Sequence, residues 1–164
     1  MRVTVLPFVL AIALRATGCG GSPAPAPVEP APPVAQEPGV VSWDILQREP
    51  VANEAVVKHI LIGWRDLGEA YGGQIDPRAA ARSEAQAQAA VTALLAKLQG
   101  GAPFEQLMAE SSEDLSSAAY GKSFEVSPQA QLVIEFKQLA MRLNPGEIGV
   151  CQSNFGYHII KRYQ

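Results

Sequence analysis

Two short runs of alternating β-branched residues, VVKHILI at 56–62 and FGYHIIKRY at 155–163, most constrain what this chain can fold into. Both runs have the pattern of a β-strand, so the folded part must contain a sheet. The same runs contain the only two histidines of the chain, His59 and His158. An imidazole is an unusual choice for packing inside an apolar strand, which makes this pair the best sequence clue to function.

Length and charge limit the possible classes of protein. The chain has 164 residues, a formal net charge of −3 and 48% hydrophobic residues. This composition suits one modest globular domain with its own core. The chain is not basic enough for nucleic acid to be its main partner, so we expect no nucleic acid.

Residues 1–19 have the pattern of a secretory signal peptide. Arg2 precedes an apolar stretch at 3–14, which Arg15 closes. That stretch is shorter than the roughly 20 residues that span a bilayer, so a permanent transmembrane helix is not expected. The pattern predicts an exported protein.

The residues ATGC at 16–19 resemble a bacterial lipobox, in which the cysteine is lipidated and becomes the first mature residue. We expect Cys19 to carry a lipid anchor that holds the chain at a membrane of the cell envelope, facing the periplasm. Gly20 follows where aspartate is associated with inner-membrane retention, which favours the outer membrane. The alternative is ordinary export, with Cys19 discarded or left as a free thiol. Cys151 has no internal partner in the lipidated chain, and its apolar neighbours predict a buried, unreactive thiol.

Residues 20–40 contain seven of the thirteen prolines and predict a disordered Pro/Ala-rich linker of extended polyproline form. At about 3.1 Å per residue, this linker could hold a domain on the order of 60 Å from its anchor. Residues 41–53 contain enough apolar side chains to form a docking arm or short helix. The folded domain is expected at 54–164.

Periodicity predicts the order of elements in that domain. A strand at 55–64 is followed by a polar loop at 65–82, and Ser83 with Gln86 can cap a helix that ends at Gly100. The remaining predicted elements are a short helix after Pro103 with Phe104, Leu107 and Met108 inward, a polar turn at 111–121, a strand at 122–127, a helix at 129–143, and strands at 147–152 and 155–163. This order predicts an α+β domain with a small sheet covered by helices.

Six segments in this order resemble the parvulin family of peptidyl-prolyl isomerases. They are KHILI, LLAKLQGGAPFEQLMAE, SSEDLSSAAYG, LVIEF, NPGEIG and FGYHII, and the resemblance covers about 57–163. It implies a four-stranded antiparallel sheet covered by about four short helices. It also implies an isomerase that needs neither a cofactor nor a metal, since rotation about an X-Pro bond breaks no bond.

The resemblance also implies which residues form the site. His59 and His158 match two histidines on neighbouring central strands at the floor of a substrate groove, and Asp114 and Ser153 match the polar residues beside them. The same alignment implies that the proline ring binds in an apolar pocket formed by Phe124, Leu132 and Phe136.

One stretch departs from the family pattern. Where the family has GGDLG-x-F, residues 121–127 read GKSFEVS. Glycine tolerates backbone angles that Lys122 and Glu125 would resist, so we expect an altered strand and one altered wall of the groove.

Other interpretations of these residues stay open. The histidines could be a structural pair that bonds across strands, or two ligands of a zinc site with one carboxylate, although no zinc motif is present. Asp114 could only cap a turn, and Leu132 and Phe136 could only pack in the core. For Ser153, the sequence favours neither a functional nor a structural role.

The loop at 65–82 bears on the choice of substrate. Arg65, Arg78 and Arg82 are spread among three carboxylates in place of the tight basic cluster that binds phosphate. We therefore predict no phosphate specificity and a solvated loop.

Together these expectations describe a monomeric, lipid-anchored prolyl isomerase that acts on proline-containing unfolded or exported polypeptides. The first alternative is a non-catalytic chaperone, or holdase, that uses the same groove. A purely structural envelope lipoprotein is the second.

Overall fold

The structure is a computed structural model, and it describes residues 39–164. The predicted signal peptide, the lipidation site Cys19 and the linker up to residue 38 lie outside the described residues. Within the described part, no helix is both long enough and apolar enough to cross a membrane.

The four predicted strands form one antiparallel sheet. Strand β1 covers Ala55–Ile62, β2 covers Phe124–Val126, β3 covers Ile148–Ser153 and β4 covers Gly156–Arg162, in the spatial order β2-β1-β4-β3. The two histidine-containing strands, β1 and β4, are therefore the central pair. The predicted fold class is confirmed.

Helices cover both faces of this sheet. They are α1 Trp43–Leu46, α2 Pro77–Ala80, α3 Glu84–Gln99, α4 Phe104–Ser111, α5 Leu115–Ala118 and α6 Ile134–Ala140, with a 3-10 helix at Arg65–Tyr71. The predicted capping box is present at the start of α3, where Ser83 accepts from the backbone N–H of Gln86 and the Gln86 side chain accepts from the N–H of Ser83.

The residues of one sheet face, here called the apolar face, are Ile60 and Ile62 of β1, Val150 of β3, and Tyr157 and Ile159 of β4. Helices α3 and α4 cover this face with Val91, Leu94, Phe104, Leu107 and Met108, all buried. As predicted, the three named residues of α4 point inward. Leu95 and Leu98 of α3 are only partly buried.

The opposite face, here called the histidine face, carries Val57, His59 and Leu61 of β1, Cys151 of β3, and His158 and Ile160 of β4. Helix α6 covers part of it with Phe136, Leu139 and Ala140, and Ile45 of α1 packs into the same cluster. Because side chains alternate along a strand, the register that seals one face also places both histidines together on the other.

The start of β4 depends on a glycine. Gly156 has φ +131° and lies so close to β1 that a Cβ there would come within 2.5 Å of the carbonyl oxygen of Ile62. Only glycine permits both the backbone angle and the approach. This contact seats the β3–β4 hairpin, with Phe155 at its tip, against the end of β1.

Two predictions about elements are wrong. The loop at 65–82 contains the 3-10 helix and α2, and helix α6 begins at Ile134 instead of residue 129. Residues 127–132 form turns, with the N–H of Ala130 bonded to the carbonyl of Ser127. Leu132 keeps the helical spacing because it packs on the same cluster, but spacing alone does not reveal where the hydrogen-bond ladder starts.

Candidate active-site groove

The two histidines meet on the histidine face. His59 pairs in register with Ile160 and His158 pairs with Leu61, so the imidazoles lie diagonally across the central strands. Their Nδ1 atoms are 3.2 Å apart and their ring planes differ by 18°. Both residues are 5% exposed, so each ring nitrogen must find a partner inside the protein.

Asp114 is brought to His59 by the backbone of the residues before it. The N–H of Leu61 donates to Ser112 Oγ at 3.1 Å, and the N–H of Glu113 donates to the carbonyl of Leu61 at 2.9 Å. This pairing fixes the segment after α4 to the end of β1. The next side chain, Asp114, then reaches His59 with Oδ2 2.9 Å from Nε2.

Two serine hydroxyls hold the carboxylate in place. Ser116 Oγ donates to Asp114 Oδ1 at 2.7 Å, and Ser117 Oγ donates to Oδ2 at 2.7 Å. The hydrogen bond from His59 lowers the pKa of Asp114 well below its usual range, with help from both hydroxyls and against the effect of burial. Asp114 also accepts from the N–H of Ser117 at the start of α5. It therefore caps a turn and holds His59 at once.

Ser153 closes the other end of the network. Its Oγ lies 2.8 Å from His158 Nε2 and accepts from the N–H of Phe155 at 3.1 Å. Ser153 is buried behind His158 and is the one predicted site residue that does not line the groove.

The hydrogen-bond partners assign one proton to each imidazole. Asp114 accepts from His59 Nε2–H, so His59 Nδ1 accepts from His158 Nδ1–H, and His158 Nε2 accepts from the hydroxyl of Ser153. Burial, and next the neighbouring His59, lowers the pKa of His158 to about 3. All four ring nitrogens are occupied within the network.

An apolar pocket adjoins this polar floor. The ring edges of Phe124 and Phe136 pack against His59 with centroids 5.0 and 5.3 Å away, and the two phenyl rings are 5.9 Å from each other. Leu132 lines the same groove, whose volume is about 690 Å³. The three residues predicted to bind a ring are therefore together. Phe136 is also buried in the core cluster of α6, so packing and groove lining coexist in it.

The loop predicted to be solvated forms the facing wall, which corrects that expectation. Tyr71, Ile75 and Pro77 line the groove, and the Tyr71 hydroxyl donates to the carbonyl of Phe155 at 2.5 Å. Burial raises the pKa of Tyr71 to about 12. This wall closes the groove on the side away from α6.

The arginines of that loop are used internally. Arg78 forms a two-pronged pair with Asp76, with both distances at 3.0 Å, and donates to the carbonyl of Ser112 at 2.9 Å. Arg82 pairs with the buried carboxylate of Glu113 at 2.5 Å. Among the described residues, the groove lining contains Asp76, Glu113 and Asp114 but neither lysine nor arginine.

The expected backbone conflict at 121–127 is absent. Gly121 has φ +59°, but within residues 39–164 no residue other than glycine has a positive φ. Lys122 and Glu125 thus occupy ordinary backbone, and Lys122 Nζ lies 5.3 Å from the centre of the Phe124 ring. Strand β2 forms, and Phe124 lines the groove.

Within residues 39–164, no group of three or more His, Cys, Asp or Glu side chains is arranged so that it could hold a metal ion. Cys151 is 1% exposed, and burial raises the pKa of its thiol to about 12.

Sequence reasoning missed several residues of the site. Ser117 touches both Asp114 and His59, and the hydroxyl pair directly after Asp114 in DLSS was an available signal. Tyr71 and Phe155 have no such signal, because their roles depend on two distant loops meeting.

Comparisons with known proteins bear on the family and the fold of the chain. A family model described as the PPIC-type PPIASE domain matches residues 44–163. Chaperone SurA from Nitrosospira multiformis is 42% identical over 80 residues, which are 48% of this chain and 18% of that protein. Foldase protein PrsA from Geobacillus kaustophilus is 28% identical over 123 residues, 74% of this chain and 42% of that protein. The chain thus spans less than half the length of these two curated relatives.

A solved structure supports the fold. The peptidyl-prolyl isomerase ESS1 from Candida albicans matches with a TM-score of 0.55 and 21% identity, over 68% of this chain and 63% of that one.

Proposed function

The chain belongs to the PPIC-type PPIase domain family, the parvulins, and on that premise we propose that it catalyses cis-trans isomerisation of X-Pro bonds in unfolded polypeptides of the cell envelope. The observation that carries this proposal is an apolar pocket of Phe124, Leu132 and Phe136 packed edge-on against a hydrogen-bonded polar floor. The proline ring would bind in the pocket, with its amide over the floor.

The reaction asks little of such a site. Rotation about the amide faces a barrier of about 18–20 kcal/mol, which comes from resonance, and no bond breaks. A groove that binds the twisted amide better than either planar isomer accelerates the rotation, and each 1.4 kcal/mol or so of preference gives about tenfold. No nucleophile or cofactor takes part.

The polar floor supports electrostatic catalysis over proton transfer. Every imidazole nitrogen of His59 and His158 already has a partner, so neither ring presents a free nitrogen to a substrate. We assign the network the role of holding the Asp114 carboxylate in position. A negative charge beside the substrate carbonyl disfavours the partial negative charge that resonance places on its oxygen, which weakens the amide double bond.

The test is a proline-isomerisation assay on the full chain, with peptides that differ in the residue before proline. We expect catalysis with several uncharged residues at that position and a large loss in His59→Ala. Lys58→Ala is the matched control, because the adjacent side chain points to the other sheet face and should keep its activity. Absence of acceleration with every peptide would overturn the proposal.

A chaperone function without turnover is the second candidate. The observation that favours it is the likeness to a protein named as a chaperone, together with the replacement of the family's GGDLG-x-F by GKSFEVS at 121–127. In that case the wild-type chain and a triple variant that replaces His59, Asp114 and His158 would suppress the aggregation of an unfolded protein equally well. Neither chain would show isomerase activity.

Export and anchoring complete the proposal. The signal-like residues 1–19 and the ATGC motif support a location in the cell envelope, with a lipid on Cys19 and the domain facing the periplasm. Of the two membranes, the outer membrane is favoured over the inner membrane. Mass spectrometry of the mature N-terminus distinguishes a lipidated Cys19 from simple cleavage.

A further inference from the structure

The carboxylates of the groove differ in whether their charge is already paired. Among the residues that the structure describes, Asp76, Glu113 and Asp114 line the groove. Asp76 holds the guanidinium of Arg78 through both oxygens at 3.0 Å, and Glu113 pairs with Arg82. Neither arginine lines the groove. Two of the three negative charges are therefore neutralised by arginines outside the groove, and the charge of Asp114 remains.

Asp114 pairs with no lysine or arginine within residues 39–164. Its oxygens accept from the neutral imidazole of His59, from the hydroxyls of Ser116 and Ser117 and from the Ser117 N–H. The side chain is 24% exposed. Lys122 places its ammonium over a phenyl ring of the proline pocket and does not line the groove. A half-buried negative charge thus faces the groove without a counter-ion.

The surface beside this charge is apolar. Leu115 follows Asp114 in the chain, lines the groove and is 64% exposed. Tyr71, Ile75 and Pro77 of the facing wall line the same groove. Burial, and then the negative charges of nearby carboxylates that include Asp114, raises the pKa of Tyr71 to about 12, so the aromatic wall lies within electrostatic reach of Asp114. Apolar surface next to an unpaired carboxylate suits a side chain with an aliphatic stem and a cationic head.

The substrate carbonyl determines which residue of a client meets this corner. With the proline ring in its pocket, the carbonyl of the X-Pro bond lies beside Asp114. That carbonyl belongs to the residue before proline, whose side chain branches from the atom next to the carbonyl carbon. The side chain before proline therefore starts a few bonds from Asp114, where Leu115 and the facing wall are within its reach.

We propose that the groove prefers X-Pro segments in which the residue before proline is arginine or lysine, with the cation paired to Asp114 and the aliphatic stem on Leu115 and the facing wall. The inference rests on the proposed function for the positions of the proline ring and the carbonyl. The exposed hydroxyl of Ser116 can rotate away from Oδ1 of Asp114 and leave this oxygen to the cation. Glutamate before proline would meet an unpaired like charge at the same place.

The preference should appear in binding and not in the rate of turnover. The cation pairs with Asp114 in the planar isomers as well as in the twisted amide, so it lowers KM without raising kcat. It also partly neutralises the carboxylate beside the carbonyl, which works against a higher kcat.

The test uses peptides that differ only in the residue before proline, which is arginine, citrulline, leucine or glutamate. Citrulline has the shape of arginine without its charge. The dissociation constant of each peptide is measured from amide NMR shifts of the full chain in detergent, and KM and kcat for isomerisation are measured with the same peptides. All measurements are made at about 0.01 M and about 0.5 M salt, because screening of the pair by salt differs strongly between them.

Two variants are compared with wild type. Asp114→Asn removes the unpaired charge and keeps a hydrogen-bond acceptor for His59. Glu69→Gln is the matched control, because it removes an exposed carboxylate of the facing wall that does not line the groove. Both variants change the net charge of the chain by the same amount.

In wild type at low salt, the arginine peptide should bind at least about threefold more tightly than the citrulline peptide, and the glutamate peptide should bind most weakly. The preference for arginine over citrulline should disappear in Asp114→Asn, persist in Glu69→Gln and shrink at high salt. The value of kcat should be no higher with arginine than with citrulline.

Equal dissociation constants of the arginine and citrulline peptides in wild type would overturn the inference, and so would a preference that survives in Asp114→Asn. Acceleration of the citrulline and leucine peptides would then leave the isomerase proposal standing. If Asp114→Asn does not fold, the wild-type chain decides, because a preference that high salt leaves unchanged would also overturn the inference. A salt-dependent preference for arginine in binding, without acceleration of any peptide, would support the inference and refute the isomerase proposal.

Discussion

The apolar face and the histidine face of the sheet are built by the same strands and differ in what covers them. Helices α3 and α4 cover the apolar face with Val91, Phe104 and Met108, all at most 2% exposed. Helix α6 covers only part of the histidine face. The rest is a groove whose floor contains buried imidazoles.

The difference shows how an alternating strand serves two purposes. On the apolar face each side chain contributes by leaving water, so identity matters less than volume. On the histidine face each buried polar atom needs a partner, because an unsatisfied one costs about 1–3 kcal/mol. The chain from Asp114 through His59 and His158 to Ser153 meets this need. Changes on the two faces should therefore separate stability from activity.

The largest expected effect is on the apolar face. Phe104→Ala should lower the free energy of unfolding by about 3–5 kcal/mol, because Phe104 is 2% exposed and its removal leaves a cavity under α4. Activity per folded molecule should stay unchanged, since Phe104 does not line the groove. Denaturant unfolding measures the first quantity, and kcat/KM well below the melting temperature measures the second.

Phe136→Ala makes the matched change on the histidine face. Phe136 is 3% exposed and packs against both histidines. The Phe136→Ala variant should therefore be less stable than wild type and should also have a higher KM. If both variants changed KM equally, the separation of the two faces would be wrong.

The next effect concerns charge at the groove. Asp114→Asn keeps a hydrogen-bond acceptor for His59 but removes the carboxylate, and we expect kcat/KM to fall about 10–100-fold, or roughly 1.4–2.8 kcal/mol. The control Asp44→Asn removes an exposed carboxylate of α1 beside Arg48 and should keep full activity. An unchanged kcat/KM in Asp114→Asn would refute the electrostatic role.

Much of the difference between the apolar face and the histidine face could be predicted from the sequence. The two strand runs, the capping box at Ser83 and the inward residues of α4 follow from spacing over a few neighbouring residues. His59 and Asp114 are 55 positions apart, so local spacing cannot predict that they pair. Only the resemblance to a family predicts that both belong to one site.

The remaining features depend on loops that meet only in the folded chain. Nothing local to Tyr71 indicates that its hydroxyl reaches Phe155, and nothing local to Arg82 indicates that it pairs with Glu113. The sequence of the loop at 65–82 therefore predicted solvent exposure where the structure has a wall.

The third expected effect is acid sensitivity that originates on the histidine face. Burial lowers the pKa of His158 to about 3 from its ordinary 6.5. Below about pH 6.5 the unfolded chain binds a proton there that the folded chain does not, so stability falls as pH falls, by up to about 1.4 kcal/mol per pH unit. Carboxylates with lowered pKa, such as Asp114 and Glu105, act in the same direction, but only as the pH approaches their ordinary pKa values near 4.

The measurement is the free energy of unfolding between pH 6.5 and 4.5, in wild type and in His158→Asn. The buried Glu113, whose pKa is raised by burial, acts in the opposite direction in both chains. The contribution of Glu113 therefore largely cancels in the difference between the two chains, which reports His158 together with its coupling to His59 and Asp114. Parallel curves would contradict the assignment of a buried, neutral imidazole.

The smallest expected effects come from single hydroxyl groups, one for each face. Ser117→Ala removes a buried hydroxyl that donates to Asp114 at 2.7 Å, so it should cost about 1 kcal/mol of stability and lower kcat/KM a few-fold. Tyr163→Phe removes a hydroxyl that donates to Glu105, an exposed residue of α4, at 2.7 Å. It should change stability by less than about 1 kcal/mol and leave kcat/KM unchanged. Because Ser117 holds Asp114 in position, lost activity should return in part in Ser117→Thr, which keeps the hydroxyl. If Tyr163→Phe lowered kcat/KM as much as Ser117→Ala does, activity in the groove would depend on contacts at both faces of the sheet.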